Sequence, residues 1–161
     1  GYSSAASDVY KRQPLGIEAA VTNTATVSGT GITPVTAAET VNAEAAPNLA
    51  ITKSVSPVPV TENGTLTYTF RIQNYGSVAA TNTTGVVITD TFAPVLNNLT
   101  AALNGTAWTA ATDYTYNEAT GTFSSTAGAI TVPAATYTQD STTGAWVVTP
   151  GESTLVITGT V

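Results

Sequence analysis

The sequence predicts an all-β protein, a sandwich built from two antiparallel sheets. Three observations carry that expectation. Roughly one residue in five is threonine, and only 9% of residues are charged. Threonine is β-branched and suits a pleated, half-wet surface, so here it does the solubilising work usually left to Lys and Glu. Leu, Lys, Arg and Gln are scarce, and no amphipathic helical period stands out. Short apolar/polar alternations recur along the chain, punctuated by glycine turns, as in a protein of many short strands.

From Pro14 to Ala46 the pattern is two extended runs, Ile17–Val27 and Ile32–Ala43, broken by Ser28-Gly29-Thr30-Gly31. That reads as a β-hairpin, which is marginal in water by itself and belongs to something larger. Ala45-Ala46-Pro47 forms a short linker. The next strand places Leu49, Ile51, Lys53 and Val55 on one face, and Pro57 and Pro59 end it or mark an edge. Glu62-Asn63-Gly64 turns the chain into a clean alternation with Leu66, Tyr68, Phe70 and Ile72 inward and Thr65, Thr67, Thr69 and Arg71 outward. Asn74-Tyr75-Gly76 is a second turn. The third strand carries Val86, Ile88, Asp90 and Phe92 on one face. Beyond Pro94, further short strands are expected at Leu99–Leu103, Ala107–Thr109, Tyr114–Tyr116, Gly121–Ser124, Ile130–Val132, Thr136–Gln139, Ala145–Thr149 and Thr154–Val161.

Composition narrows the function. A formal net charge of −6 and a pI near 4.1 argue against nucleic acid and anionic membrane as partners. No apolar run approaches the ~20 residues that span a bilayer. Cys and His are both absent, which removes disulfides, thiolate and imidazole metal sites, and Ser-His or Cys-His catalysis. The carboxylates are scattered singly, with no paired acid and base and no phosphate-binding glycine loop. The chain reads as a non-enzyme with no cofactor, no metal ligands and no catalytic residues. The four Asn-x-Thr sequons, at Asn63, Asn82, Asn98 and Asn104, arise by chance in so threonine-rich a chain.

The opening differs in character from the rest. Ser4–Gln13, SAASDVYKRQ, resembles translated sequencing-adapter read-through, so residues 1–13 are set aside as a non-native segment. Lys53 and Arg71 are then the remaining cations. The run ending at Val161 reads as a strand cut short.

Three stretches carry a family resemblance. NLAITKSVSP (Asn48–Pro57), GTLTYTFRIQNYGSVAATN (Gly64–Asn82) and VVITDTFAP (Val86–Pro94) occur in that order. Together they resemble the bacterial conserved-repeat surface domain, the domain-of-unknown-function family numbered eleven. The segment from Ala129 to Val161 is similar to the later part of such repeats. VTNTATVSG, Val21–Gly29, resembles their closing strands. The resemblance implies that residues 14–46 are the C-terminal hairpin of one repeat with its linker. Residues 47–161 are then the next repeat, an immunoglobulin-like sandwich truncated at its C-terminus. It further implies tandem arrays in a secreted, cell-surface or cell-wall anchored adhesin or stalk of Gram-positive type, a rigid spacer without catalytic activity whose partners are neighbouring repeats.

Lys53 and Asp90 stand out on otherwise apolar strand faces. A charge facing a core needs a partner, because an unpaired one costs several kcal/mol. One reading lets Lys53 snorkel to water from a strand end while Asp90 turns a corner. The other follows a second resemblance, to isopeptide-forming fimbrial domains, in which a first-strand lysine attacks a last-strand asparagine beside a carboxylate proton relay. On that resemblance Lys53 is the nucleophile and Asp90 the relay; the acceptor lies beyond Val161, with Asn23 as its counterpart in the preceding tail. The Pro14–Ala46 hairpin is not expected to fill the empty strand position in its own molecule. Its three linker residues reach only about 14 Å, against a gap of roughly 25 Å along a strand of eight residues. Head-to-tail strand donation between chains is geometrically open.

A different class of function, a carbohydrate- or host-ligand-binding module, draws on the aromatic residues Trp108, Tyr114, Tyr116, Tyr137 and Trp146. Exposed rings stack on sugars, whereas buried ones simply fill a core.

Overall fold

A computed structural model describes residues 20–42 and 45–161. The non-native reading of residues 1–13 and the first three residues of the Ile17–Val27 run lie outside the described residues. The described chain is all-β and antiparallel. Its elements are β1 (Ala20–Gly29), β2 (Ile32–Asn42), β3 (Leu49–Ser56), β4 (Thr65–Asn74), β5 (Thr89–Thr91), β6 (Asn97–Leu103), β7 (Thr106–Ala107), β8 (Tyr114–Asn117), β9 (Thr122–Ser125), β10 (Thr136–Gln139), β11 (Trp146–Thr149) and β12 (Gly151–Thr160). They fall into two compact units. One holds the β1–β2 hairpin together with Thr138–Val147, the other Pro47–Tyr137 with Val148–Val161.

The hairpin is a two-stranded ribbon turning through Gly31, whose φ of 73° is open to glycine without strain. Val27 faces Val35, Ala25 faces Ala37 and Asn23 faces Glu39, so these six share one side of the ribbon. Thr22 and Thr40 hydrogen-bond on the other side, 2.8 Å apart. Val27, Val35 and Val41 are all more than 60% exposed. In β10–β11, the turn is held by Asp140, whose carboxylate accepts the backbone N–H groups of Thr143 and Thr142 at 2.8 Å. Those bonds favour the ionised form and lower its pKa from the ordinary aspartate value.

The larger unit is a sandwich. One sheet has five strands in the order β3-β4-β12-β6-β7, and the other three in the order β5-β9-β8. The period-2 pattern read in β4 is realised in full: Leu66, Tyr68, Phe70 and Ile72 are buried, as are Leu155 and Ile157 opposite them on β12. Phe92, Leu96, Phe123 and Ile130 complete the core from the second sheet and its loops. On the outer face, Arg71 pairs with Glu152, which lowers the glutamate pKa and raises that of the arginine.

Two expected strands differ from the sequence reading. The Val86–Phe92 face is right, with Ile88 and Phe92 buried, but only Thr89–Thr91 pair as a strand. The chain before it forms a 3₁₀ turn at Asn82–Thr84, capped reciprocally by Thr81 and Thr84. Ile130–Val132 forms only one isolated bridge, between Val132 and Ala80.

The upper end of the sandwich, where β3 starts and β4 stops, is tied together by Asn74. This side chain has no exposure. Its Nδ2 donates to the carbonyls of Val78 (2.7 Å) and Pro133 (3.0 Å), and its Oδ1 accepts the N–H groups of Asn48 and Gly76, both at 2.9 Å. Gly151, the register partner of Asn74, passes so close that a Cβ there would lie 2.0 Å from the Pro133 carbonyl oxygen. Gly151→Ala is therefore expected to cost about 1–3 kcal/mol, as overpacking against backbone does. Urea denaturation checks this; an unchanged midpoint would show that the Pro133 segment yields freely.

Candidate functional site

β3 is the place where the sheet and the sequence pattern part company. Leu49, Ile51, Lys53 and Val55 stand opposite Asn74, Ile72, Phe70 and Tyr68 of β4, so they continue the core-facing side of the five-stranded sheet. Yet every residue of β3 is exposed, with Leu49, Ile51 and Val55 at 38%, 53% and 39%. The expectation of a covered inward face is corrected by the tertiary structure. β3 is an edge strand, and the second sheet ends at β5 without extending over it.

The sandwich is thus open along one flank. Both bordering strands keep a free edge among the described residues. In β5, the N–H of Phe92 and the C=O of Ile88 bond to the β9 segment. By the alternation of an antiparallel ladder, the main-chain groups of Thr89 and Thr91 point the other way, outward.

Lys53 and Asp90 meet on the floor of this opening. The Lys53 ammonium is ion-paired with the Asp90 carboxylate. It lies 4.8, 5.5 and 5.3 Å from the ring centres of Tyr68, Phe70 and Phe92, where the ring quadrupoles attract a cation. The second carboxylate oxygen accepts the Thr91 N–H at 2.9 Å. Side-chain exposures of 41% for Lys53 and 18% for Asp90 make this a partly wet pair, worth at most about 1 kcal/mol to the chain alone. Lys53 is fifth of eight residues in its strand rather than at its end, though its partly exposed side chain still reaches water, and Asp90 lies within β5 rather than at a corner. Asn23 lies on β1, in the other unit.

The aromatic residues are divided between the two units. Tyr114 is 5% exposed and stacks on Phe123 at 5.4 Å; burial raises the pKa of its hydroxyl. Tyr116 packs against Phe92, and its hydroxyl both donates to the Leu96 carbonyl and accepts the Leu96 N–H, each at 2.9 Å. Trp108 packs against the core. Tyr137 is tied to the Tyr75 carbonyl. Trp146 is half-buried on β11, in the unit that holds the hairpin. Trp108, Tyr114 and Tyr116 thus pack into the core, and Tyr114 and Tyr116 also line an open hollow with Leu99, Ala110 and Glu118.

No protein-family model, no curated protein and no solved structure matches this chain. The functional reading therefore rests on the open flank and its chemistry.

Proposed function

We propose that this chain is a structural, non-catalytic repeat unit of an exported bacterial surface stalk or adhesin, immunoglobulin-like in plan. Its sandwich is completed by a strand from a neighbouring repeat. The observation that supports this is the uncovered row Leu49, Ile51, Lys53 and Val55 beside the free edge of β5. A sheet that presents its core side to water, beside an edge where no strand pairs and the Thr91 N–H is held only by the Asp90 side chain, is built to receive a strand. Threonine-rich outer faces and tight turns suit a spacer that must stay soluble with few charges. Each long charged side chain would add rotamer entropy to be lost on ordering.

In this reading Lys53 and Asp90 also hold the chemistry for a cross-link. The Lys53 amine attacks the side-chain carboxamide carbon of an asparagine on the incoming strand. A new C–N bond forms, the bond to the amide nitrogen breaks, and Asp90 carries the proton from the amine to the departing ammonia. Lys53 and Asp90 provide the nucleophile and the relay; the incoming strand provides the rest.

The test is a fusion in which a second copy of residues 14–46 follows Val161 through a short flexible linker. Covering the half-exposed Leu49, Ile51 and Val55 is expected to add about 2–3 kcal/mol, or on the order of 10 °C in Tm. Intact mass is expected to fall by one ammonia in the fusion but not in its Lys53→Ala variant. A fusion that melts with the original chain would overturn strand completion. An unchanged mass would remove the cross-link alone.

A further inference from the structure

The slot between β3 and β5 requires an occupant, and β1 carries a matching face. On its own side of the hairpin, Asn23, Ala25 and Val27 alternate as one amide and two apolar groups, all exposed. On β3, Lys53, Ile51 and Leu49 alternate as one cation and two apolar groups, also exposed. On each element two apolar positions and one polar position follow at the two-residue period of a strand, and on β3 Val55 continues the face below Lys53.

The direction of docking follows from the fold. β3 starts beside Asn74 at the upper end and finishes beside Thr67. β5 leaves the loop that begins at that upper end and leads into β6, whose first residue pairs with Thr160 at the lower end. β5 therefore runs downward, as β3 does. A strand antiparallel to β5 runs upward, so that Asn23 falls over Lys53, Ala25 over Ile51 and Val27 over Leu49. The parallel direction with Asn23 over Lys53 puts Ala25 over Val55 and carries Val27 beyond the end of β3, leaving Ile51 and Leu49 uncovered by these residues. Antiparallel docking matches all three.

The hairpin also shows which of its edges is available. β2 contains Pro34, which lacks an N–H and blunts that edge against further pairing. β1 contains no proline. With β1 in the slot, β2 returns downward and ends near Ser56, roughly 25 Å from Leu49 along the strand and across the sheet spacing. The six residues between Asn42 and Leu49, twice the linker expected from sequence, span about 25 Å only when fully extended. The donor is therefore a different molecule.

We infer that the chain assembles head to tail with itself: β1 of one copy adds antiparallel to the free edge of β5 in the next, placing Asn23 over the Lys53–Asp90 pair. This rests on the reading of the open flank as a strand acceptor. The Asn23 carboxamide then offers its oxygen to the ammonium and its N–H to the carboxylate, meeting both charges with one neutral group. Val27 and Ala25 exclude water from Leu49 and Ile51. The dispersion contacts of that apolar row drive the docking, and the amide sets its register.

The experiment uses the full chain and two surface variants, Ile51→Glu in the acceptor and Val27→Glu in the donor. Both positions are more than half exposed, so neither change disturbs the core, and circular dichroism verifies this. If Ile51→Glu unfolds, Leu49→Glu replaces it. Light scattering after size exclusion is expected to show the wild-type mass rising with concentration from one chain to dimers and longer species, while each variant stays at one chain. An equimolar mixture of the two is expected to give a dimer and nothing larger, because only one productive slot and one productive strand remain. A wild-type chain that stays at one-chain mass at every concentration, as self-closure through β2 would give, overturns the inference. So does either variant assembling like wild type, or a mixture that does not dimerise. A stabilised tail fusion alongside a monomeric wild type would leave the acceptor reading standing and remove this inference alone.

Discussion

Phe92→Ala is expected to destabilise the sandwich by about 3–5 kcal/mol, the range for emptying a large aromatic site in a packed core. Phe92 is 2% exposed, and its ring centre lies 4.7 Å from that of Tyr68 and 6.2 Å from those of Tyr116 and Phe123. It joins β4 of one sheet to the β8–β9 pair of the other, and it follows directly on β5. Removing it takes out the common neighbour of three aromatic rings as well as buried area. It also takes one of the three rings away from the Lys53 ammonium. Such a loss is a large share of the total stability of about 5–15 kcal/mol typical of a domain. Thermal melting is expected on the order of 15 °C lower. Ile51→Ala is the informative comparison. It removes an apolar side chain from the facing sheet, but from a half-exposed site, where the cost in the isolated chain is below about 1 kcal/mol. Equal costs for the two would contradict the open flank.

Asn74→Ala is the second large effect, expected near 3 kcal/mol. The side chain makes four hydrogen bonds with no exposure, and each net bond is worth about 1 kcal/mol, with further cost for partners left unpaired. The groups released belong to the start of β3, the loop after β4 and the Pro133 segment, so the damage spreads across three parts of the upper end. Asn74→Asp keeps the two acceptor contacts but turns a carboxylate toward the Val78 and Pro133 carbonyls, and it is expected to be no better than alanine at neutral pH. Urea denaturation followed by tyrosine fluorescence measures both. Loss of under about 0.5 kcal/mol for alanine would mean that water replaces the amide without strain.

Asn74 also shows how far local pattern carries. In sequence it belongs to Asn-Tyr-Gly, a turn signal, and the chain does leave β4 there. What the turn reading misses is that the amide points into the protein and binds backbone 59 residues away at Pro133. A turn signal reports backbone preference, and such preferences are local. Asn63 is the contrasting case: its φ of 57° is the left-handed turn residue that Glu62-Asn63-Gly64 announces. The aromatic residues divide in the same way. Tyr114 and Tyr116 alternate with polar neighbours, and that pattern says that their side chains share a face. Only packing against Phe123 and Phe92 decides that this face is the core.

The sequence by itself determined the all-β class, the hairpin, the buried face of β4 and the placement of two charges on apolar strand faces. Each follows from side-chain alternation, turn residues or the energetic need to pair a charge near a core, and these act over a few residues. Tertiary structure alone decided that β3 is an uncovered edge, that β5 shrinks to three residues and that Lys53 reaches Asp90 from one sheet to the other. Alternation tells a strand which side is apolar. Whether a second layer lies over that side depends on strand order and on chains elsewhere in space, which no local pattern encodes.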